Sequence, residues 1–326
     1  MVEAMGGFFE LELRRGQHPY PHARAYNLAR SAFQALLLAQ QARRVWIPHF
    51  ICSVMPDAAR AVDVEVVRYG MNDLLEPAAL PALGPREVFL YVNYFGLKDA
   101  YIRDTLAGQY GGALIVDNSQ ALFCAPVDGI PTLYSPRKFV GVPDGGWRVN
   151  GPCDLEQLPP GNSANRFDAL LGRLANGPEA HYADFQNTEE ALGTEGMRGM
   201  SAITTRLLNS IDYDEIGRRR RANYSQLHDA LGALNTFKAL DLTPTAALCY
   251  PLLLKDVQEA EKVRAALLKQ RIYVPCYWRD VLADSSAPTL EQDMTRRLLP
   301  LPVDQRYGAS DIARLANLIL QASRTS

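Results

Sequence analysis

Lysine is scarce in this chain: the 326 residues hold six lysines against 28 arginines. Histidine, with five, and tryptophan, with three, are scarce as well. The histidines (His18, His22, His49, His181, His228) show no HExxH or paired-ligand spacing, which argues against a resident metal. Cys52, Cys124, Cys153, Cys249 and Cys276 stand apart with no CxxC pair. An odd, scattered set argues against a disulfide framework and structural zinc and suits a reducing compartment. A charge excess is missing too: net −2 supplies no field for nucleic acid or an acidic membrane. No apolar run approaches the ~20 residues that span a bilayer. Met1 to Gln17 lacks a basic stretch followed by a long apolar block, so no signal peptide is expected and the cytoplasm is the default. Nor does any strand-like run lead into a GxGxxG or GxxxxGKS/T loop, which sets aside the common nucleotide-binding domains.

What remains is an ordinary globular composition, 48% hydrophobic and 21% charged, long enough for two domains. In the first half, helix-like and strand-like segments alternate. Leu28 to Gln41 carries apolar residues at three- and four-residue intervals and predicts a helix. Arg43 to Ile47, Val64 to Tyr69, Glu87 to Tyr94 and Ala113 to Val116 predict strands, with helices over Val54 to Ala61 and Tyr101 to Tyr110. That alternation implies βαβ units and a mainly parallel sheet with helices on both faces, whose sites lie beyond the carboxyl ends of the strands. From Arg166 to Leu234 the pattern is helical. After Thr243-Pro244 a second βαβ-like stretch is expected: strand Leu248 to Leu254, helix Val257 to Lys269, strand Ile272 to Pro275, and a last helix from Ser310 as N-cap to Gln321. The expected division is a large domain over 1–205 and a smaller C-terminal α/β domain over 206–326. The basic run Arg218 to Arg221 follows Asp212, Asp214 and Glu215 and is expected to be a solvated, ion-paired helix face. Trp278 is expected in a satellite core, with a pocket border as the alternative.

The chemistry gathers near mid-chain. The run Ala113 to Val116 empties into Asp117-Asn118-Ser119-Gln120, and Lys138 follows in Ser135-Pro136-Arg137-Lys138, ahead of Asp144-Gly145-Gly146. A carboxylate at a strand end with a lysine a short loop away is the pair that pyridoxal 5'-phosphate (PLP) requires. The amine makes a Schiff base with the aldehyde, and the carboxylate keeps the pyridine nitrogen protonated. Apolar neighbours and Arg137 would favour the neutral Lys138 amine. Asp117 is as readily an Asx-turn or N-cap residue; Gln120 can donate to a ring phenolate oxygen. Ser135 offers a hydroxyl to a phosphate, and Ala29-Arg30-Ser31 opens the first long helix, whose N-terminal N–H groups suit an anion. Asp144-Gly145-Gly146 is a turn that brings backbone close to the site.

These residues resemble those of the DegT/DnrJ/EryC1/StrS group, the sugar aminotransferase family of fold-type-I PLP proteins. The likeness runs through Asn27 to Leu38, VWIPHFICSVMP (Val45 to Pro56), Val92 to Gly96, VDNSQAL (Val116 to Leu122) and SPRKFVGVPDGG (Ser135 to Gly146). It continues in Met200-Ser201, Arg221 to Tyr224 and Leu301 to Tyr307. The resemblance implies an aspartate aminotransferase-like fold and a homodimer with active sites at the subunit interface. It makes Lys138 the Schiff-base lysine, Asp117 the pyridinium partner, Gln120 a contact to the ring oxygen and Ser135 a phosphate ligand. It implies transfer of an amino group from an amino-acid donor to a keto sugar carried on a nucleotide. The sequence departs from the family pattern in three places. Little precedes Asn27, so the substrate-shaping segment there is expected to be reduced. Cys52 stands where an aromatic stacks on the cofactor ring, leaving Phe50 or His49 to substitute. No asparagine matches the partner-subunit phosphate contact near Arg198 to Ser201, where Arg198 would be the replacement. Two other readings stay open: a PLP-dependent sugar dehydratase or lyase, against which lysine at 138 weighs, and a PLP-binding regulator without turnover.

Overall fold

The apolar runs of the first half become a buried sheet. The computed structural model describes residues 5–152, 157–240 and 246–324, so Cys153 and Thr243-Pro244 lie outside the described residues. In chain order come β1 (Arg24–Tyr26), α1 (Ala29–Ala39), β2 (Arg44–Pro48), α2 (Val54–Arg60), β3 (Glu65–Tyr69) and β4 (Glu87–Val92). Two short helical turns, α3 (Asp99–Tyr101) and α4 (Ala107–Tyr110), are joined by a π-helical stretch (Ile102–Leu106). Then follow β5 (Leu114–Asn118), β6 (Thr132–Tyr134) and β7 (Gly146–Val149). All seven strands form one sheet in the order β1-β7-β6-β5-β4-β2-β3. β3, β2, β4, β5 and β6 run parallel, while β7 is antiparallel to both β6 and β1. Every residue of β5 is buried. Continuous burial of this kind belongs to parallel strands covered on both faces, and it explains why Leu-Ile-Val does not alternate with polar residues. α1 closes one face by burying Ala32, Phe33, Leu36 and Leu37, a stripe at helical spacing.

The second half is helical before it turns to a small sheet. α5 (Asp168–Asn176), α6 (Tyr182–Thr194), α7 (Ala202–Ser210) and α8 (Tyr213–Leu231) precede β8 (Cys249–Leu253), α9 (Val257–Lys269), α10 (Thr289–Arg297), β9 (Leu298–Pro302) and α11 (Ala309–Arg324). β8 and β9 pair antiparallel, with α8, α9 and α11 packed together beside them.

Several expectations need correction. Residues 272–275 form no strand; Pro275 instead offers its carbonyl to Arg264 Nη1 at 3.2 Å. The partner of β8 is β9, an antiparallel pairing and not a βαβ crossover. Pro300 and Pro302 disguised β9, but in a two-stranded sheet both strands are edges, where proline is tolerated. β1, β6 and β7, three or four residues each, gave too short a period to read. α11 begins at Ala309, so Ser310 lies inside it, and the N–H of Gly308 is taken by the Asp311 carboxylate at 2.9 Å. The basic run is only partly solvated. Arg218 and Arg219 do pair with Glu215, at 2.6 and 3.1 Å. Arg220 is 1% exposed, because it falls on the same inward stripe as Ile216, Asn223, Tyr224 and Leu227.

Candidate active site

Strand register puts the two key residues at one edge of the sheet. Asp117 stands opposite Leu133 and Asn118 opposite Tyr134 in the parallel β5–β6 pair. Beyond Tyr134 the chain passes Ser135 and makes a 3₁₀ turn, Pro136–Lys138. Asp117 and Lys138 therefore leave neighbouring parallel strands at their carboxyl ends. Asp117 is 5% exposed and sits within β5, not beyond it. Its Oδ1 accepts the Ser119 N–H at 2.8 Å, so the Asx turn is real. A carboxylate has two oxygens and can accept several donors, so a buried one suits a further partner. Gln120, also buried, accepts the Phe95 N–H on Oε1 at 3.0 Å, which leaves its amide nitrogen as donor. Lys138 is exposed, contrary to the desolvated setting expected for it: the turn buries Pro136 and Phe139 and leaves the lysine outside. Ser135 is half-buried, and its hydroxyl does not cap the turn.

The start of α1 is fixed beside this edge by the loop after Lys138. Gly145 N donates to Asn27 O at 2.5 Å, and Leu28 bridges to Gly145. A Cβ on Gly146 would lie 2.3 Å from both Ala29 N and Leu28 C, so only glycine lets β7 approach the helix end this closely. No side chain caps α1, whose first N–H groups lack intrahelical partners. Asp144 anchors the loop from the other side. Its buried carboxylate accepts Ser201 N at 2.9 Å, Ser201 Oγ at 2.8 Å and the Thr204 hydroxyl, all at the start of α7.

Two guanidiniums join the helix end. Arg30 is half-buried and donates from Nη2 to Leu192 O at 2.6 Å. Burial, and then the nearby charge of Arg137, push Arg30 below the usual arginine range, while Glu189 and Cys52 act in the opposite sense. Arg137 pairs with Glu189 of α6, and its Nε is buried without a hydrogen-bond partner. Two guanidiniums, Arg30 and Arg137, thus lie near each other, Arg30 within the first turn of α1. That donor set suits a phosphate monoester.

The neighbours of Cys52 do not replace an aromatic there. Phe50 is fully buried with its ring 4.2 Å from Trp278, edge on, and His49 Nδ1 is 3.0 Å from Asp284. Cys52 itself is an exposed free thiol. Trp278 belongs to the rim of the main core and not to a satellite. It and Phe95 both hold left-handed backbone, φ 54° and 58°, with rings 6.0 Å apart. Strained non-glycine residues of this kind concentrate at functional sites. Arg198 pairs with Glu195 at 3.1 Å, while its carbonyl accepts Asn27 N at 2.9 Å, so this segment lies beside the α1 entrance of its own chain. Among the described residues no group of three His, Cys, Asp or Glu could hold a metal ion.

No protein-family model and no curated protein matches the chain. Solved structures do. DesV from S. venezuelae, in complex with a ketimine intermediate, superposes with TM-score 0.66 at 19% identity, over 93% of this chain and 85% of that one. Sugar aminotransferase CalS13 from Micromonospora echinospora gives 0.63 at 17% identity, over 92% and 87%. The chain has the PLP-dependent transferase fold. NtdA from Bacillus subtilis, with bound PMP, shares that fold at 0.66 and 13% identity, over 93% and 73%. The seven-stranded sheet and its helices form the larger part of this PLP-dependent transferase fold. The β8–β9 sheet with α8, α9 and α11 forms the smaller C-terminal α/β part. Two features of the site had no sequence signal: Glu189, 52 residues from its partner Arg137, and the Leu192 carbonyl, 162 residues from Arg30. Arg137 had one, as the neighbour of Lys138.

Proposed function

We propose that this chain is a PLP-dependent aminotransferase that moves an amino group from an amino-acid donor to a keto sugar, nucleotide-linked as the resemblance implies. The observation that carries the reading is the placement of buried Asp117 at the carboxyl end of β5, the strand next to the one leading to Lys138. The residues present fit the cofactor. Asp117 supplies the carboxylate for a ring N–H, Gln120 a donor for the ring oxygen, and Ser135 with Ala29, Arg30 and Ser31 the donors for the phosphate. Cys52 borders the ring position with a soft, polarizable sulfur instead of an aromatic face. Bound there, PLP would supply the electron sink that stabilises negative charge at the substrate's Cα. Lys138 Nζ is the amine that would hold the cofactor covalently. When free, it would take the proton from the substrate Cα as base and deliver it to the former aldehyde carbon as acid. Asp117 would hold the ring N–H in place.

Assembly as a homodimer in the cytoplasm, with sites at the interface, belongs to the same proposal. So does the domain division near residue 205. A partner subunit over the site would also shield the exposed Lys138. The absence of an aromatic at Cys52 favours a second reading, cofactor binding without turnover, and one experiment separates the two. Purified protein is examined for a visible absorption band, alone and after glutamate, and a separate portion without glutamate is reduced with borohydride. The expected result is a band lost on adding glutamate, and cofactor fixed onto Lys138 by borohydride. Transamination of a keto sugar then supports the enzyme; a band that glutamate leaves unchanged supports the regulator. A Lys138→Ala protein with the same band and full turnover refutes the assignment.

A further inference from the structure

The pairing of Arg137 with Glu189 lies where a phosphate is expected, and α6 brings the glutamate there. α6 is held loosely. Of its thirteen residues only Leu192 is buried, while Tyr182 and Phe185 are exposed. Its polar ties to the site are the Arg137–Glu189 pair and the Arg30 hydrogen bond to Leu192 O. An element with so few buried contacts opens at low cost. Charge balance points the same way. Two guanidiniums and a helix end of about +0.5 give the region about +2.5. Glu189 cancels one unit, whereas a phosphate monoester brings about −1.5 to −2 at pH 7. Arg137 side-chain exposure is 17% and that of Glu189 is 40%, so the guanidinium is the fixed member and the carboxylate the replaceable one.

We infer that Arg30 and Arg137 form the phosphate subsite, and that α6 is a displaceable cap whose Glu189 occupies that subsite until a phosphate monoester binds. This rests on the cofactor reading only for the name of the ligand; the subsite itself is defined by phosphate chemistry. Binding a phosphate releases Glu189, frees Leu192 O from Arg30 and loosens α6 from the sheet edge. Loading and cap opening are then one equilibrium, and a change on α6 that weakens the cap while leaving both arginines in place tightens phosphate.

The test uses full-length protein freed of cofactor, with inorganic phosphate as the first probe and PLP as the second. Phosphate affinity is measured by calorimetry, and hydrogen exchange is followed over residues 182–194. Glu189→Gln should tighten phosphate about fivefold, the scale of a half-exposed ion pair. Arg137→Gln should weaken it by at least as much, with Arg137→Lys intermediate. Glu190→Gln, on the same helix, should leave it unchanged. In the wild type, phosphate should speed exchange over 182–194. Unchanged or weaker phosphate binding in Glu189→Gln overturns the inference, as does slower exchange over 182–194 on binding, or no phosphate binding in any variant. The two readings fail separately. Tighter phosphate in Glu189→Gln with no visible band from PLP keeps the cap and removes the cofactor reading. A normal PLP band with affinities indifferent to Glu189 does the reverse.

Discussion

Arg220 links the lysine turn to the small sheet, and replacing it with methionine, close in length, tests that link. Its Nη1 donates to Ala247 O and Leu248 O, both at 3.1 Å, and its guanidinium lies 4.6 Å from the centre of the Phe139 ring. A longer contact of 3.4 Å reaches Phe139 O, which also receives Gln305 Nε2 at 2.8 Å and so keeps a partner. Arg220→Met therefore strands two carbonyls. Two hydrogen bonds from a charged donor amount to about 4 kcal/mol, and the lost stacking adds about 1 kcal/mol. Against that, burial holds the guanidinium down at about 10 from 12.5. At 1.36 kcal/mol per pH unit, removing the charge returns about 3 kcal/mol. The net expectation is a loss of about 2 kcal/mol, read as a lower urea midpoint at pH 7. The pH effect has a definite sign. The folded value lies below the unfolded one, so the unfolded chain binds the extra proton between them. Wild type thus gains stability from this group as pH climbs above about 10, a gain Arg220→Met lacks. A variant as stable as wild type at pH 7 would refute the reasoning, because the stranded carbonyls would then cost no more than the buried charge.

Other perturbations follow from the same contacts. Asp144→Ala removes the acceptor for Ser201 N, Ser201 Oγ and the Thr204 hydroxyl, and should cost about 3 kcal/mol in urea unfolding. A cost under about 0.5 kcal/mol, the range of an ordinary surface change, would remove Asp144 as the anchor of α7. Gly146→Ala puts a Cβ 2.3 Å from backbone atoms of Leu28 and Ala29, so the start of α1 must shift. Phosphate affinity should fall at least tenfold while α-helical circular dichroism is kept, and unchanged affinity would take the helix end out of the site. Asp284 is held down at about 2, first by the Ser286 hydroxyl and also by His49. Its contribution is complete above its ordinary 3.8 and is lost as pH falls toward 2. Urea midpoints of wild type and Asp284→Asn should therefore differ at pH 5 and converge at pH 2; a constant difference would contradict the linkage.

What could be read in the sequence was whatever carries its own period or its own chemistry. β2, β4 and β5 announced themselves as apolar runs too long for turns and too continuous for an exposed sheet. Asp117 and Lys138 stood out because a carboxylate after such a run, and a lysine in a chain with six, are each unusual. The misreadings share one cause: partners distant in sequence. β9 is a strand because β8, more than forty residues earlier, pairs with it, and its prolines argued locally against that assignment. Arg220 looked solvated because its neighbours Arg218 and Arg219 are, yet helical phase turns it inward toward carbonyls 27 and 28 residues away. Phe50 and His49 lay close enough to Cys52 to seem replacements until Trp278 and Asp284 claimed them from the far end of the chain. Glu189 belongs with these. Nothing near it in sequence marks it, and it matters only because α6 carries it to Arg137. The chemistry of the candidate site is therefore local and legible, whereas the contacts that α6 makes to it are tertiary.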